Sequence, residues 1–395
     1  MKYIIIVGDG MADYPLEELG NKTPLQVART PNFDKLAKGG MVGLAKTIPD
    51  GLSPGSDVAN LSILGYNPNT YYPGRASLEA ISQGIILEKE EIAFRCNLVT
   101  VEDGIMIDYS GGHITTLEAE KFIALLNQRM GKDNLIFYPG VSYRNLIITS
   151  LLPVESLPSL ICFPPHDITG KNILEYLPNH ELIKEIMFTS QNILKENKLN
   201  LERKQSNKRE VSMVWLWGPG SLPSMPKFSD LFSLKGANIA AVDLIKGISK
   251  SIGFEVIKVT GATGYYDTDY QAKANYALQA LEEFDLVYIH IEAPDEASHN
   301  GEISEKIKAI EEIDQKVLGT ILEKVERYQD YKILLITDHY TPVSLKTHTK
   351  EIVPFIVYGT SIEKDDIVLF DEESAKDSSL YFEEGYKLME WFINK

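Results

Sequence analysis

Cysteines are scarce in this sequence, and long apolar runs are missing. The 395 residues include only Cys96 and Cys162, which are too few for a disulfide framework and stand in no metal-ligand spacing. No stretch approaches the roughly 20 apolar residues of a membrane span. At the N-terminus, Lys2 and a short apolar run do not form a signal peptide pattern. These absences predict a cytoplasmic protein without membrane partners.

Positive charge is also in short supply. The chain has 39 Lys and Arg against 56 Asp and Glu, a formal net charge of −17. Such a charge argues against nucleic acid or an anionic membrane as partner. A small anionic substrate is still compatible with it, if Arg, Lys or metal ions cluster locally. The chain has no P-loop pattern and no internal repeats.

Short apolar runs alternate with amphipathic stretches over most of the chain. Strands are predicted at residues 3–7, 146–149, 211–216, 255–259, 286–291, 333–336 and 355–358. Helices are predicted at residues 30–39, 116–130, 190–197, 241–251, 270–283 and 305–328. This alternation predicts an α/β fold with a mainly parallel sheet between helices.

The alternation is interrupted between residues 108 and 178 by a Gly-Gly pair, a helix, strand-like pieces and Pro164-Pro165. We interpret residues 109–178 as a smaller α+β domain, inserted into a core formed by residues 1–108 and 179–395. The polar run 196–210 is interpreted as a solvated connection that leads back to a core strand at 211–216. The sequence indicates no oligomeric state.

Acidic and histidine side chains follow three predicted strands where each strand ends, and one more histidine precedes a fourth strand. These residues are Asp9, Asp295, His299, Asp338, His339 and His348. Ligands of open α/β sheets bind beyond the carboxyl ends of the strands. If the strands are parallel neighbours, we expect these side chains to converge at one edge.

Three Asp and three His suffice for two metal sites with open coordination positions, and the mixed donor set suits Zn, Mn or similar ions. Asp295 and His299, spaced i, i+4, would share one face of a helical turn. Each motif alone is also explained by a helix cap or a surface hydrogen bond, but the combination favours a metal site. His290, inside an apolar strand, is interpreted as a core histidine.

Ser56 follows a Pro54-Gly55 turn and opens a helical stretch, so it is predicted at the helix N-cap. It could simply cap the helix. Alternatively, a phosphoserine there would be stabilised by the helix N–H groups, and a metal pair would activate the hydroxyl as a nucleophile. Spacing alone leaves both open. Ser53 and Ser62 are weaker candidates, because one precedes a proline turn and the other lies inside the helix.

The chain resembles the archaeal-type cofactor-independent (2,3-bisphosphoglycerate-independent) phosphoglycerate mutases of the alkaline-phosphatase superfamily. The matching motifs run in order from the first strand to beyond residue 350. They are Val7-Gly8-Asp9-Gly10-Met11-Ala12-Asp13, Pro54-Gly55-Ser56-Asp57-Val58-Ala59-Asn60, Asp243-Leu244-Ile245-Lys246-Gly247, Gly261-Ala262-Thr263-Gly264, Glu292-Ala293-Pro294-Asp295-Glu296-Ala297-Ser298-His299, Thr337-Asp338-His339 and Thr347-His348-Thr349. The resemblance implies an alkaline-phosphatase-like core, two divalent metal ions (Mn, Zn or Mg) and a small phosphorylated substrate.

The resemblance also implies a role for each matching residue. One metal ion would be held by Asp9, Ser56, Asp338 and His339. The other would be held by Asp295, His299 and His348. Ser56 would be the phosphorylated nucleophile, and the inserted domain would close over the substrate. The substrate-binding candidates are His113, Lys246, Arg75, Arg95 and Arg144, although each arginine could instead form a structural ion pair.

The implied reaction is the glycolytic interconversion of 3-phosphoglycerate and 2-phosphoglycerate through a phosphoserine. One alternative is homoserine kinase, the activity proposed for a bacterial branch of the family that shares Gly112-His113-Ile114, Pro165-His166-Asp167 and the run 241–246. A metal-dependent phosphatase or phosphodiesterase is another, and it would not need a closing domain that excludes water. Purely structural metals would call for closed, Cys-rich sites, which the chain lacks.

Overall fold

The computed structural model describes residues 1–195 and 197–395. The chain forms two compact units, a larger one of Met1–Tyr72 and Ser224–Lys395 and a smaller one of Pro73–Pro223. The smaller unit is therefore an insertion, but its bounds are wider than the predicted 109–178, and the predicted boundaries are corrected accordingly.

The strands are numbered in chain order. They are β1 (Lys2–Gly8), β2 (Met41–Ala45), β3 (Ile92–Glu102), β4 (Ile105–Asp108), β5 (Leu135–Val141), β6 (Arg144–Thr149), β7 (Met213–Ser221), β8 (Gly236–Ile239), β9 (Glu255–Val256), β10 (Leu286–Ile291), β11 (Tyr331–Thr337), β12 (Val353–Gly359) and β13 (Tyr381–Phe382).

The α-helices are numbered in the same way. They are α1 (Pro24–Val27), α2 (Pro31–Gly39), α3 (Ser56–Ile63), α4 (Pro68–Tyr71), α5 (Arg75–Ser82), α6 (Thr116–Met130), α7 (Glu181–Leu194), α8 (Lys198–Gln205), α9 (Phe228–Phe232), α10 (Asp243–Ser251), α11 (Tyr270–Ala280), α12 (Ala293–Asn300), α13 (Ile303–Glu312), α14 (Gly319–Val325) and α15 (Lys387–Asn394). A π-helical segment, Ile313–Leu318, joins α13 to α14. Among the described residues, no helix has the length and apolarity to cross a membrane.

The larger unit contains an eight-stranded sheet in the order β13-β2-β12-β11-β1-β10-β8-β9. From β11 to β9 every neighbouring pair is parallel. The central strands β1, β10 and β11 are almost wholly buried, which is why they read as continuous apolar runs in the sequence. The predicted α/β fold with a mainly parallel sheet is confirmed.

The pairing register brings the ends of three strands to one level. Gly8 of β1 is paired with Ile291 of β10 and with Thr337 of β11. Residues that follow these strands therefore leave the sheet at the same edge. β12 runs antiparallel to β11, with Phe355 opposite Ile336. Consequently the residues that precede β12, rather than those that follow it, lie at this edge.

The smaller unit is built on a five-stranded antiparallel sheet. Its long strand β3 pairs with β7 on one side and with β6 and β4 on the other, and β5 pairs with β6. Since β3 precedes residue 109 and β7 follows residue 178, this pairing explains the wider bounds of the unit.

Two further predictions in this region are wrong. The strand predicted at 211–216 belongs to β7, which pairs with β3 in the smaller unit and is not a core strand. The predicted solvated connection 196–210 contains α8. The helix predicted at 190–197 is confirmed for residues 190–194, which end α7, and α8 begins only at Lys198. Glu196, which both predictions include, lies outside the described residues.

Candidate active site

The predicted metal ligands project from the shared edge of β1, β10 and β11 in the larger unit. Asp9 is the first residue after β1, and its backbone N–H donates to the carbonyl of Ile291 at 3.0 Å. Asp338 is the first residue after β11. After β10 the chain turns directly into α12, whose first turn contains Pro294 and Asp295. Proline is well suited to a first helical turn, so the sequence itself starts this helix next to the sheet edge.

One group of ligand atoms comes from Asp295, His299 and His348, the set implied by the resemblance. His299 Nε2 lies 3.2 Å from Asp295 Oδ2, and His348 Nε2 lies 3.3 Å from Asp295 Oδ1. His299 Nδ1 is 2.9 Å from the carbonyl of Lys346, which can only accept a hydrogen bond. Nδ1 therefore carries the proton and leaves Nε2 free to bind a metal ion.

A second group surrounds the Nε2 atom of His339. This nitrogen lies 3.4 Å from Asp9 Oδ1, 3.5 Å from Asp338 Oδ2 and 3.2 Å from Ser56 Oγ. Ligand atoms of Asp9, Asp295 and His339 also lie within 4.8 Å of one another. The two groups therefore adjoin, with Asp295 between them.

Ser56 is the first residue of α3, and the N-cap position is occupied by Gly55. The predicted N-cap position of Ser56 is thus wrong by one residue. The Ser56 hydroxyl faces His339. Helix capping therefore does not explain this serine, and its hydroxyl lies 3.2 Å from a metal-ligand candidate, His339 Nε2.

Asn60 is a supporting residue that the sequence analysis missed. Its Nδ2 donates to Asp338 Oδ2 at 2.9 Å and to the carbonyl of Ser56 at 2.8 Å. The hydroxyl of Tyr288 donates to Asn60 Oδ1. Asn60 therefore orients Asp338 and ties it to the start of α3. The i, i+4 spacing of Ser56 and Asn60 on a predicted helix was the available signal.

Buried carboxylates crowd this edge. Asp9 is 4% exposed and Asp338 is fully buried. Burial, reinforced by the charges of Asp338 and Asp295, raises the pKa of Asp9 well above its usual range. Burial also acts to raise the pKa of Asp338, but the neighbouring His339 and His290 lower it to about 2. Asp9 Oδ1 has no hydrogen-bond partner within the described part of the chain. Clustered carboxylates with an unpaired oxygen and convergent imidazoles fit a divalent metal ion.

His290 is fully buried, yet it is not an ordinary core histidine. Its Nε2 lies 3.6 Å from Asp9 Oδ2 and 3.9 Å from Asp338 Oδ2, and ligand atoms of these three residues lie within 4.8 Å of one another. The interpretation from the sequence is confirmed for the burial of His290, but it did not include the proximity to Asp9 and Asp338. β10 pairs with β1 so that His290 stands opposite Val7, near the strand end, and that register was not visible in the sequence.

The five substrate-binding candidates are divided between the two units. Lys246 lies on α10 of the larger unit, with Nζ 3.4 Å from Asp243 Oδ1. The other four belong to the smaller unit. His113 is exposed and has a φ of 48°. Arg144 is the exposed first residue of β6.

Arg75 and Arg95 face the same carboxylate, that of Glu79. Arg95 Nε lies 3.0 Å from Glu79 Oε2, and Arg75 Nε lies 3.5 Å from Oε1. The guanidinium of Arg95 also stacks 4.0 Å from the ring centre of Trp217. Burial lowers the pKa of Arg95 to about 10, opposed by Glu79 and reinforced by the charges of Arg75 and Arg144. Arg75, Arg95 and Arg144 therefore lie near one another. Arg95 also forms an ion pair with Glu79, in agreement with the structural role that was the alternative to substrate binding.

Comparisons with known proteins identify the family. The profile of the metalloenzyme superfamily matches residues 1–391. The chain is 49% identical, over 386 residues and 96% of both chains, to the 2,3-bisphosphoglycerate-independent phosphoglycerate mutase of Methanosarcina mazei. It is 47% identical to the enzyme of that name from Methanothrix thermoacetophila, over the full length of both chains. The chain belongs to this family of phosphoglycerate mutases.

A solved structure agrees with this membership. The cofactor-independent phosphoglycerate mutase of Thermoplasma acidophilum is 25% identical, with a TM-score of 0.67 that covers 100% of this chain and 99% of the other. The resemblance inferred from the motifs is confirmed. The chain belongs to the metalloenzyme superfamily, and candidate metal-ligand atoms cluster at the sheet edge. This member of the phosphoglycerate mutase family is therefore a protein that binds divalent metal.

Proposed function

We propose that this member of the phosphoglycerate mutase family interconverts 3-phosphoglycerate and 2-phosphoglycerate, through a phosphoserine at Ser56, at a site that holds two divalent metal ions. One observation carries the proposal. The hydroxyl of Ser56 lies 3.2 Å from His339 Nε2, beside two adjoining groups of metal-ligand atoms. The full-length similarity to mutases favours this reaction over the kinase and phosphatase alternatives.

The two groups of donors would hold one ion each. Asp295, His299 and His348 would hold the first ion. Asp9, Asp338, His339 and Ser56 would hold the second, and Mn, Zn and Mg all suit such donors. When bound, the ions lower the pKa of the Ser56 hydroxyl and neutralise charge on the transferring phosphoryl group.

Ser56 carries the phosphoryl group between two oxygens of the same substrate. Its Oγ forms a bond to phosphorus while the bond between phosphorus and the C3 oxygen breaks, and the serine proton is lost to the alkoxide that leaves. In the return step the 2-hydroxyl oxygen forms a bond to the phosphorus of the phosphoserine while the bond between phosphorus and Ser56 Oγ breaks. The proton of the 2-hydroxyl passes to Oγ and replaces the one that Ser56 lost. The N-terminal end of α3 favours the phosphate charge. No bisphosphoglycerate is needed, because the arriving phosphoryl group is the one that departs.

The glycerate must stay bound and water must stay out between the two steps, since hydrolysis of the phosphoserine would make the enzyme a phosphatase. We assign the exclusion of water to the smaller unit. We assign contacts with the substrate phosphate and carboxylate to Lys246, His113, Arg75, Arg95 and Arg144. For the three arginines, their mutual proximity in a protein of net charge −17 supports this assignment.

The test follows conversion of 3-phosphoglycerate by ³¹P NMR, using Mn-loaded protein without bisphosphoglycerate. Turnover should fall by orders of magnitude in Ser56→Ala and after EDTA treatment. Ser53→Ala is the matched control, because Ser53 is exposed in the same loop, and it should keep its activity. Release of inorganic phosphate instead of 2-phosphoglycerate would identify a phosphatase. Transfer from ATP to homoserine, without mutase turnover, would identify the kinase.

A further inference from the structure

His290 lies at the deep end of the metal-ligand cluster, and both of its ring nitrogens lack a hydrogen-bond partner in the described part of the chain. The side chain is fully buried. An imidazole removed from water without hydrogen bonds costs free energy, so its place in the fold needs an explanation. The groups closest to the ring are the carboxylates of Asp9, Asp338 and Glu292.

Glu292 faces one side of the imidazole and is itself firmly held. Its Oε1 lies 3.5 Å from His290 Nδ1 and accepts hydrogen bonds from the backbone N–H groups of Ala241 and Val242, at 2.9 and 3.2 Å. Its Oε2 accepts from the buried Nζ of Lys273 at 2.8 Å. Lys273 Nζ also donates to the carbonyl of His290 at 2.8 Å. A carboxylate fixed in this way favours a proton on Nδ1 of His290.

With the proton on Nδ1, the lone pair of Nε2 points toward Asp9 and Asp338. Two carboxylates and a ring nitrogen that face one another need a positive charge between them, which either a proton on Nε2 or a bound metal ion supplies. The separations from Nε2 to these carboxylate oxygens are 3.6 and 3.9 Å. Donors that share one ion, each about 2.0–2.2 Å from it, are separated by distances of this size. A histidine bound to a metal commonly donates its other ring N–H to a carboxylate.

We infer that His290 is a further ligand of the metal ion held by Asp9 and Asp338, through Nε2, and that Glu292 and Lys273 are its positioning residues. The inference rests on the two-metal site of the proposed function. It links the metal centre to the loop that precedes α10, because the same Glu292 oxygen that faces His290 holds the backbone of Ala241 and Val242.

The test is a titration of Mn²⁺ into metal-free protein, followed by EPR of free Mn²⁺, with the mutase assay run on the same samples. Wild type should bind two ions. His290→Gln should weaken Mn²⁺ binding at one of the two metal sites by more than roughly 10- to 100-fold, the loss expected when a residue that only orients a metal ligand is removed. The affinity of the other site should not change. Glu292→Gln should weaken the same position by about 10- to 100-fold. Ile289→Val, a buried neighbour on the same strand, is the matched control and should bind both ions as wild type does.

A folded His290→Gln variant that binds two ions with wild-type affinities would overturn the inference and leave the proposed function standing. Wild-type protein that binds no Mn²⁺ and converts no 3-phosphoglycerate would overturn the proposed function itself. If His290→Gln does not fold, zinc-loaded crystals of the wild-type protein decide the question. An anomalous peak about 2.0–2.1 Å from His290 Nε2 would support the inference, and a nearest peak beyond about 3 Å would overturn it.

Discussion

Lys306 and Asp13 form a fully buried ion pair that joins the two loops carrying metal-ligand candidates. Lys306 Nζ lies 2.7 Å from Asp13 Oδ2 and also donates to the carbonyls of Thr341, at 3.0 Å, and Ala12, at 3.2 Å. The first loop contains Asp9, and the second contains His339. We expect Lys306→Met to destabilise the larger unit strongly.

The size of the effect follows from the burial of both partners. Methionine replaces the apolar stem of Lys306 but leaves the Asp13 carboxylate buried, with backbone N–H donors from Val343 and Tyr14. Removing one partner of a buried pair costs about 3–5 kcal/mol. In a domain of this size, about 2–4 °C of Tm is lost per kcal/mol, which predicts a Tm about 6–20 °C lower. The double variant Lys306→Met/Asp13→Asn should recover part of the loss, because no charge is left unpaired.

The assay is thermal unfolding followed by far-UV circular dichroism in EDTA, so that metal binding does not contribute. Lys308→Met is the matched control, since Lys308 lies on the same helix with a side chain 64% exposed, 3.4 Å from Glu305. Loss of such a surface pair should cost less than about 1 kcal/mol. Equal Tm values for the two single variants would refute the reasoning. The reasoning would also be refuted if the loss of Tm in Lys306→Met/Asp13→Asn equalled the sum of the losses in Lys306→Met and in Asp13→Asn.

Three further predictions concern the larger unit. Gly10→Ala should abolish high-affinity Mn²⁺ binding in a titration, because the added Cβ would lie 2.6 Å from Asp295 Oδ1. Gly20→Ala is the control and should keep this binding, because Gly20 has a similar positive φ and an added Cβ there meets open space. Saturating Mn²⁺ should raise the Tm of the EDTA-treated protein, since a ligand at 100 times its Kd stabilises by about 2.7 kcal/mol per site. Glu372→Gln should be more stable than wild type in thermal unfolding at pH 8, but not near pH 4.5, because burial raises the pKa of Glu372 to about 7.

The sign of the Glu372 effect follows from proton linkage. The pKa of Glu372 is about 7 in the folded chain, above the ordinary value of 4.5, so the folded chain binds this proton more tightly than the unfolded chain does. The stabilisation that this proton provides is complete below pH 4.5 and is lost as the pH rises through about 7. A Tm difference between variant and wild type that is the same at both pH values would contradict this.

Two results would count against the metal site. One is Mn²⁺ binding by Gly10→Ala that equals the binding by Gly20→Ala. The other is a Tm of the EDTA-treated protein that does not change when Mn²⁺ is added.

The fold class and the family follow from local sequence patterns and motifs. Buried parallel strands appear as apolar runs, and a residue directly after such a strand must lie at the carboxyl edge of the sheet. Asp9 and Asp338 could therefore be placed at that edge from local sequence alone. The i, i+4 spacing of Asp295 and His299 likewise placed both side chains on one helical face. Their roles as ligands stay predictions, to be tested by metal binding.

Other features depended on contacts between segments far apart in the chain, and they became visible in the folded structure. The pairing of β3 with β7 sets the bounds of the smaller unit, and the antiparallel direction of β12 brings His348 to the metal-ligand edge. His290 appeared to be a core residue because its strand is apolar. Its proximity to Asp9 and Asp338 arises from the register of β10 against β1. Hydrophobic pattern predicts that a residue is buried, but the residue's neighbours in the fold are set by pairing and register.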